Sequence, residues 1–190
     1  MQKLLIRTLD IILSLTGIFL GLPIMLLIYF ISLCLNGSPL FFQQRVGKNR
    51  KLFTLIKFRT MAHRTASVAT HLADSASITR LGQFLRKTKL DELPQLFNVL
   101  LGTMSLVGPR PCLPNQTELI DERDKRGVFK TRPGITGLAQ VNEVDMSTPR
   151  KLARYDKLMV KSMCPQLYIK LIITTAFGKG RGDRVRIAPL

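Results

Sequence analysis

An uncharged, strongly apolar stretch runs near the start of the chain, from Ile11 to Leu35. As a helix it is long enough to cross a bilayer core of about 30 Å, which needs roughly 20 apolar residues. Pro23 lies near its middle and has no N–H to donate to the carbonyl of Phe19, so a helix kinks or breaks there. The pattern predicts a membrane-embedded segment, residues 1–36, with its break at Pro23.

The residues alone do not decide whether this segment spans the membrane or enters and leaves it on one side. A removable signal peptide is disfavoured, because its apolar part would be only about 7–15 residues long. Lys3 and Arg7 precede the stretch, and the chain after it is strongly basic. Cytoplasmic flanks collect Lys and Arg, so a re-entrant helix with both ends on one face fits both flanks. A single span with a tolerated proline fits the length equally well.

Two short β-prone runs follow the apolar segment, at residues 41–46 and 52–58, on either side of a turn-like linker at 47–51. This arrangement predicts a β-hairpin. Residues 63–77 are rich in Ala, Ser and Thr and show no period, which predicts a loop. His63 and His71 lie in that loop, and we interpret both as surface residues rather than metal ligands.

An amphipathic helix is predicted over residues 78–89, because Ile78, Leu81 and Leu85 share one face and basic residues cover the other sides. This helix either packs on the core with a solvated basic face or rests on an anionic membrane surface. The neighbouring membrane segment favours the second alternative. Further along, apolar positions at helical spacing from residue 155 predict helices that break near Pro165. The basic, glycine-containing tail at 179–186 predicts a flexible end.

A second helix is predicted to begin at or near Asp91 and to stop near Gly102. Its apolar positions recur at i, i+3, i+4 and i+7: Leu93, Leu96, Phe97 and Leu100. Aspartate is a good N-cap residue, and Pro94 is tolerated in a first turn. Asp91 and Glu92 would therefore lie at a helix N-terminus. For an isolated Asp-Glu pair, capping and a favourable contact with the helix dipole would be sufficient explanation.

The charge balance narrows the range of partners. The 190 residues include 29 Lys and Arg against 12 Asp and Glu, a formal net charge of +17. Such a chain favours anionic partners: a phospholipid surface, nucleotide phosphates or nucleic acid. The chain has no tryptophan and no recognition-helix motif, so we expect no nucleic acid. Three cysteines without metal-ligand spacing suit a reducing cytosol. We expect one cytosolic domain, residues 37–190.

The surroundings of Asp91 and Glu92 suggest chemistry beyond capping. Between Arg45 and Lys89 the chain has eleven Lys and Arg against one acid. Nearby cations favour the charged form of a carboxyl group, so we expect both acids to be strongly ionised. An ionised pair beside cations suits a divalent metal and a phosphorylated substrate. Downstream, Gly108-Pro109-Arg110-Pro111 is a rigid turn that presents a guanidinium, whose fork matches phosphate oxygens.

These motifs, in this order behind a membrane segment, resemble one family. They are Lys-Phe-Arg from Lys57, Asp-Glu-Leu-Pro-Gln-Leu from Asp91, Gly-Pro-Arg-Pro from Gly108 and Arg-Pro-Gly-Ile-Thr-Gly from Arg132. The chain resembles the bacterial sugar transferases, small monotopic phosphoglycosyl transferases that start glycan assembly on a polyprenol carrier. The resemblance extends through Asn142 and fades after it.

The resemblance implies a fold and a location. The fold is an α-rich α+β membrane-associated (monotopic) domain with an N-terminal re-entrant helix-break-helix, amphipathic interfacial helices and a small β-hairpin. It would lie on the cytosolic face of the bacterial inner membrane, among anionic phospholipids. The chain departs from relatives at the break, where Leu22-Pro23 replaces Ser-Pro, and at Glu143-Val144, where relatives commonly have Gly-Arg.

The resemblance also implies a reaction and its residues. Asp91 would attack a UDP-sugar, release UMP and pass the phosphosugar to undecaprenyl phosphate, for use by downstream glycosyltransferases. Mg²⁺ would be held by Asp91 and by Glu92, or Glu92 would position the acceptor. The candidates for substrate binding are Arg110 first, then Lys57, Arg59, Arg132, Gln140 and Asn142. A structural ion pair is an equal alternative for Arg132, and the sugar and the oligomeric state stay open.

Overall fold

The computed structural model describes residues 2–62 and 77–177. Most of the predicted loop at 63–77, with both histidines, and the basic tail at 179–186 lie outside the described residues. The elements in chain order are α1 (Gln2–Asn36), β1 (Leu40–Val46), β2 (Leu52–Phe58), α2 (Arg80–Thr88), α3 (Gln95–Leu100), β3 (Ser105–Val107), α4 (Thr117–Asp124), β4 (Gly134–Thr136), α5 (Leu138–Val141), α6 (Pro149–Ser162) and α7 (Pro165–Ala176). Helices predominate over two small sheets, as predicted for the fold class.

The predicted hairpin is confirmed. Strands β1 and β2 pair antiparallel with Leu40 opposite Phe58 and Val46 opposite Leu52. A short 3₁₀ turn, Lys48–Arg50, joins the strands. The inner face of β2 packs Phe53 and Leu55 against α3 and the start of β3. The hairpin therefore supplies one wall of the core beside the Asp-Glu motif.

Helix α1 contains the apolar segment and runs without interruption from Gln2 to Asn36, with Pro23 inside it. Pro23 thus lies within one helix, where the sequence predicts a break; re-entrance itself stays a prediction. By length and composition, α1 is the one helix in the described residues that could cross a membrane. Only 17% of its most apolar 18-residue window is buried in the protein. Such an exposed apolar surface is compatible with membrane association.

Both halves of α1 pack on the rest of the domain. Near its start, Arg7 donates hydrogen bonds to the carbonyls of Val99 (2.8 Å) and Leu100 (3.0 Å). Further along, Met25 and Ile28 are buried in a cluster with Phe58 and Leu85. The contacts from residue 7 to residue 28 extend over about 30 Å of helix, at 1.5 Å per residue. The domain therefore lies alongside α1 rather than at one end of it.

Helix α2 confirms the amphipathic helix and shows where its apolar face goes. The Thr79 hydroxyl caps it by accepting a hydrogen bond from the Gly82 amide (3.0 Å). Leu81 and Leu85 pack towards the cluster around Met25, as the core-packing alternative requires. Phe84 is exposed on another side. Contact of α2 with a membrane surface stays a prediction, and Phe84 rather than the leucines would make it.

The C-terminal part contains helices α4 to α7 together with strand β4. The predicted break near Pro165 is confirmed, since α6 ends at Ser162 and Pro165 opens α7. Helix α7 is tied to α1, because the Tyr168 hydroxyl donates a hydrogen bond to Asp10 Oδ1 (2.7 Å). Asp10 also accepts hydrogen bonds from the Ser105 hydroxyl (2.9 Å) and the Leu106 amide (2.8 Å). One buried carboxylate thus joins α1, β3 and α7.

Candidate active site

The Asp-Glu pair lies in a 3₁₀ turn, Leu90–Glu92, between α2 and α3. The prediction that Asp91 caps the second helix is wrong, because α3 begins at Gln95. Pro94 has no N–H for a helical bond, and the chain before it makes i→i+3 bonds, such as Leu93 N–H to the Leu90 carbonyl (3.3 Å). The predicted stop is confirmed, since Gly102 has φ +80°. Both acids therefore lie in the 3₁₀ turn, ahead of α3.

Both acids belong to one site. Asp91 is buried, with 8% of its surface exposed. Glu92 Oε1 accepts a hydrogen bond from Arg110 Nη2 at 2.8 Å. Charge on Glu92, Lys57, Arg86 and Arg110 acts on Asp91. The structure therefore brings Arg110 and Lys57, two of the predicted substrate-binding residues, together with the two carboxylates.

The protonation of Asp91 differs from the prediction. Burial raises its pKa to about 7, and the negative charge of Glu92 raises it as well. Lys57, Arg86 and Arg110 lower it, by less. The prediction of strong ionisation counted only the cations, whereas loss of hydration disfavours the charged form of a buried carboxyl group. Near neutral pH, the metal-free protein holds Asp91 in a mixture of its two forms.

Lys57 extends from β2 towards the acids and is itself perturbed. Burial lowers its pKa to about 8, with the charge of Arg45 adding to the effect and Asp91 opposing it. Its Nζ lies 5.3 Å from the centroid of the Phe41 ring. Burial disfavours the charged form of Lys57, and an anionic ligand beside it would favour that form again.

Two further cations at this site were missed by sequence reasoning. Arg86 on α2 donates from Nε to the Thr60 hydroxyl (2.9 Å), and Arg45 on β1 is buried and donates from Nη1 to the Pro111 carbonyl (3.0 Å). The sequence placed Arg86 only on the basic side of the amphipathic helix, which faces either solvent or an anionic membrane surface. The signal for Arg45 was its place in the alternation of β1, where an inward position holds a charged residue.

A parallel strand pair explains why two of the motifs occur together. Ser105 of β3 pairs with Gly134 of β4, and Val107 pairs with Thr136. At this crossing a Cβ on Gly134 would stand 2.0 Å from the amide nitrogen of Gly108. The Gly-Pro-Arg-Pro and Arg-Pro-Gly turns therefore touch backbone to backbone, and only glycine fits. Sequence reasoning treated them as separate turns.

The remaining predicted residues make contacts of their own. Arg59 donates from Nε to the Ser38 carbonyl (3.1 Å), Arg132 from Nε to the Gly102 carbonyl (2.7 Å), Gln140 from Nε2 to the Ile135 carbonyl (2.8 Å) and Asn142 from Nδ2 to the Leu138 carbonyl (2.7 Å). Neither Arg59 nor Arg132 is among the groups whose charge acts on Asp91. Their roles in substrate binding stay predictions.

Asp91 and Glu92 are the carboxylates of this site that could hold Mg²⁺. In residues 2–62 and 77–177, no group of three or more His, Cys, Asp or Glu side chains could enclose a metal ion. Mg²⁺ is commonly held by only one or two carboxylates together with substrate phosphates and water. Asp91 and Glu92 provide such a pair, with cations nearby to bind the phosphates. The residues present therefore fit Mg²⁺ that is shared with a diphosphate substrate.

Comparison with known proteins identifies the family. The family model described as bacterial sugar transferase matches residues 1–180. The chain belongs to this family.

The chain matches relatives over most of its length, and two of the three described here are named for an activity. It is 38% identical over 180 residues to a UDP-glucose:undecaprenyl-phosphate glucose-1-phosphate transferase of Klebsiella pneumoniae, covering 88% of this chain and 38% of that protein. It is 37% identical over 167 residues to an undecaprenyl-phosphate galactose phosphotransferase of Salmonella typhimurium, covering 77% and 35%. An uncharacterized sugar transferase of Bacillus subtilis is 42% identical over 140 residues, covering 73% and 69%. The chain spans little more than a third of the length of the first two.

Proposed function

We propose that this protein transfers a sugar-1-phosphate from a UDP-sugar to undecaprenyl phosphate, giving the polyprenol-diphosphate sugar and UMP. The observation that carries the proposal is the buried carboxyl group of Asp91 beside Lys57, Arg86 and Arg110, in a domain packed along a long apolar helix. The Klebsiella and Salmonella relatives are named for reactions with this lipid carrier. Their different sugars leave the donor sugar of this protein open.

The reaction would proceed in two displacements at the same phosphorus. A carboxylate oxygen of Asp91 attacks the sugar-bearing phosphorus, and the bond from that phosphorus to the UMP oxygen breaks, so UMP leaves with the electron pair. A phosphate oxygen of undecaprenyl phosphate then attacks, the acyl-phosphate bond breaks, and the Asp91 carboxylate is restored. Covalent catalysis of this kind predicts ping-pong kinetics.

The cations around Asp91 would each have a part in this reaction. Lys57 and Arg86 would hold the donor diphosphate against the carboxylate. Arg110 would orient Glu92 and contact phosphate oxygens through its guanidinium fork. Asp91 and Glu92 would hold Mg²⁺, which supplies neutralisation of the charge that would otherwise repel a carboxylate nucleophile.

For the membrane, we propose that α1 enters and leaves the cytosolic leaflet of the inner membrane. Arg7, near the start of α1, and Ile28, in its second half, both contact the same domain. That domain carries charged and polar groups on many sides, and it cannot face water on both sides of a bilayer. The basic residues on both flanks of the apolar stretch agree with one cytosolic side. The product would then be available to downstream glycosyltransferases.

The test uses the purified full-length protein with Mg²⁺, polyprenol phosphate and a panel of UDP-sugars, and it measures UMP. We expect release with at least one donor, no release from Asp91→Asn, and normal release from Asp121→Asn, an exposed aspartate on α4. With the donor alone, mass spectrometry should find the hexose-phosphoryl group on the Asp91 peptide. Product formation without that adduct, or full turnover by Asp91→Asn, would refute the mechanism.

A further inference from the structure

A second basic cavity lies at the start of α1. It has a volume of about 330 Å³ and is lined by residues from α1, the hairpin turn, the β3 and β4 region and the end of α6. Neither Asp91 nor Glu92 lines it, nor do Lys57, Arg86 and Arg110. The cavity is therefore distinct from the carboxylates and cations of the candidate active site. It adjoins that site, because Gly108 and Pro109 in its wall directly precede Arg110, and it includes Arg132, which the sequence predicted to bind substrate.

Positive charge dominates the wall of this cavity. Six cationic side chains converge on it from separate parts of the chain: Lys3, Arg7, Lys48, Lys130, Arg132 and Lys161. The only acid in the lining is Asp10. Its Oδ1 already accepts hydrogen bonds from Ser105, Leu106 and Tyr168, and its Oδ2 lies 3.9 Å from Arg7. One carboxylate cannot balance six cations.

Two of the cations are held in fixed positions around Gly102. Arg7 uses both terminal nitrogens on the carbonyls of Val99 and Leu100, and its Nη2 lies 3.5 Å from where a Cβ on Gly102 would be. Arg132 donates from Nε to the Gly102 carbonyl (2.7 Å). Across the described ranges, its terminal nitrogens have no hydrogen-bond partner. Gathering like charges costs free energy unless an anion joins them.

The four lysines stand at the exposed edge of the cavity. Lys3, Lys48, Lys130 and Lys161 are each exposed, and in the part of the chain that the structure describes none of them forms an ion pair. A lysine ammonium is a mobile point charge that suits a phosphate group. The cavity thus has two fixed guanidinium groups inside and four mobile ammonium groups at its edge. This arrangement suits a compact anion that accepts several hydrogen bonds.

We propose that this cavity binds a phosphate group, as the headgroup of an anionic phospholipid or as a small free phosphate. Its place favours contact with lipid, because Lys3, Arg7 and Asp10 directly precede the uncharged stretch that begins at Ile11. Lysine and arginine near a membrane surface strengthen the attraction to anionic lipid. The cavity does not depend on the proposed transfer reaction, since its residues are separate from the reacting carboxylates.

The test measures binding to the full-length protein in a neutral detergent, by native mass spectrometry and calorimetry. The probes are a short-chain phosphatidylglycerol, the matching phosphatidylcholine and inorganic phosphate. The cavity variant is Lys48→Gln, Lys130→Gln and Lys161→Gln combined. The control has the same loss of charge on exposed lysines away from the cavity: Lys125→Gln, Lys151→Gln and Lys157→Gln. A third variant, Val160→Trp, fills the cavity without changing the charge.

We expect one phosphatidylglycerol to bind, with roughly tenfold or greater weakening in the cavity variant and in Val160→Trp and less than about twofold in the control. Phosphatidylcholine, whose headgroup has no net charge, should bind more weakly. If inorganic phosphate binds with the same dependence on the variants and phosphatidylglycerol does not, the source is a free phosphate. Equal weakening by the cavity and control variants, or no binding of either anion, would overturn the proposal. Thermal unfolding of each variant establishes that it is folded.

Discussion

Arg123 Nη1 donates a hydrogen bond of 2.8 Å to the backbone carbonyl of Arg110. The same guanidinium contacts Asp156 Oδ2 through Nε (2.9 Å) and Nη2 (2.8 Å), and both side chains are almost fully buried. Arg110 in turn contacts Glu92. A buried ion pair between α4 and α6 therefore holds the turn that presents Arg110 to the Asp-Glu motif.

Asp156→Asn tests whether the buried Arg123–Asp156 ion pair holds the turn of Arg110. Removing one partner of a buried ion pair leaves an uncompensated charge, which typically costs about 3–5 kcal/mol. We expect a loss of that order in the free energy of unfolding, measured in detergent, and a raised KM for the donor in molecules that remain folded. Asp121→Asn, on an exposed side of α4, is the control. Unchanged stability of the Asp156 variant would show that the pair does not hold the turn.

Arg110→Lys tests the guanidinium itself. Lysine keeps the charge but loses the planar fork that matches carboxylate and phosphate. If Arg110 orients Glu92 and the phosphates, kcat/KM for UMP release should fall by about 100-fold, the scale for losing one preorganised donor. Arg154→Lys, on the exposed side of α6, should leave kcat/KM within about twofold. Equal activity of both variants would show that only the positive charge of Arg110 matters and that its guanidinium fork does not.

The raised pKa of Asp91 predicts a pH-dependent stability in the metal-free protein. Its pKa is about 7 when folded, against 3.8 for the unperturbed group, so the folded state binds the proton more tightly than the unfolded chain. The stabilisation from that proton is complete below pH 3.8 and is lost as the pH rises through 7.

Asp91→Asn removes this titration and keeps a neutral side chain. At pH 8 we expect the variant to be more stable than the parent, by on the order of 2–4 kcal/mol. The difference should disappear near pH 4. Thermal unfolding in a chelator at both pH values measures it, with Asp121→Asn as the control. A variant that is less stable than the parent at pH 8 would mean that Asp91 is ionised at little cost.

The sequence was informative where structure depends on local pattern. The alternation in β1 and β2, the leucine spacing of α2 and the glycine at residue 102 each led to the observed element. The structure brings Lys57 and Arg110 near Asp91, as the motifs predicted, and the roles of these residues in catalysis stay predictions. Local pattern failed at two prolines. The missing N–H of Pro94 displaces the start of α3, and Pro23 lies within uninterrupted α1 instead of breaking it.

Contacts between distant parts of the chain could not be predicted from the sequence. The β3–β4 pair joins segments almost 30 residues apart, and each strand has only three residues, too few for a period. Arg123 and Asp156 are an ordinary cation and an ordinary acid in the sequence, and only folding buries them together. The pKa of Asp91 was misjudged for the same reason, since neighbouring charges can be counted along a chain but burial cannot.

The course of α1 can be determined by labelling in intact membranes. The native cysteines Cys34, Cys112 and Cys164 are first replaced by serine, and single cysteines are then introduced at Lys3 and Lys51, which are both exposed. A re-entrant α1 predicts that an impermeant thiol reagent reaches both positions from the cytosolic side only. Labelling of the two positions from opposite sides would establish a spanning helix and refute the proposed topology.

Gly134→Ala tests the backbone crossing that joins the two arginine-bearing turns. The added Cβ would stand 2.0 Å from the Gly108 nitrogen and 2.5 Å from its Cα, atoms that cannot rotate away. We expect the strands to separate, with a loss of about 3 kcal/mol in the free energy of unfolding, the upper end of the usual cost of overpacking. Gly21→Ala is the matched control, because its Cβ would meet only the Met25 sulfur at 4.0 Å.

Since β3 leads directly into the turn of Arg110, UMP release should fall with stability in Gly134→Ala and persist in Gly21→Ala. A Gly134→Ala protein as stable and active as the parent would show that the crossing is looser than the structure has it.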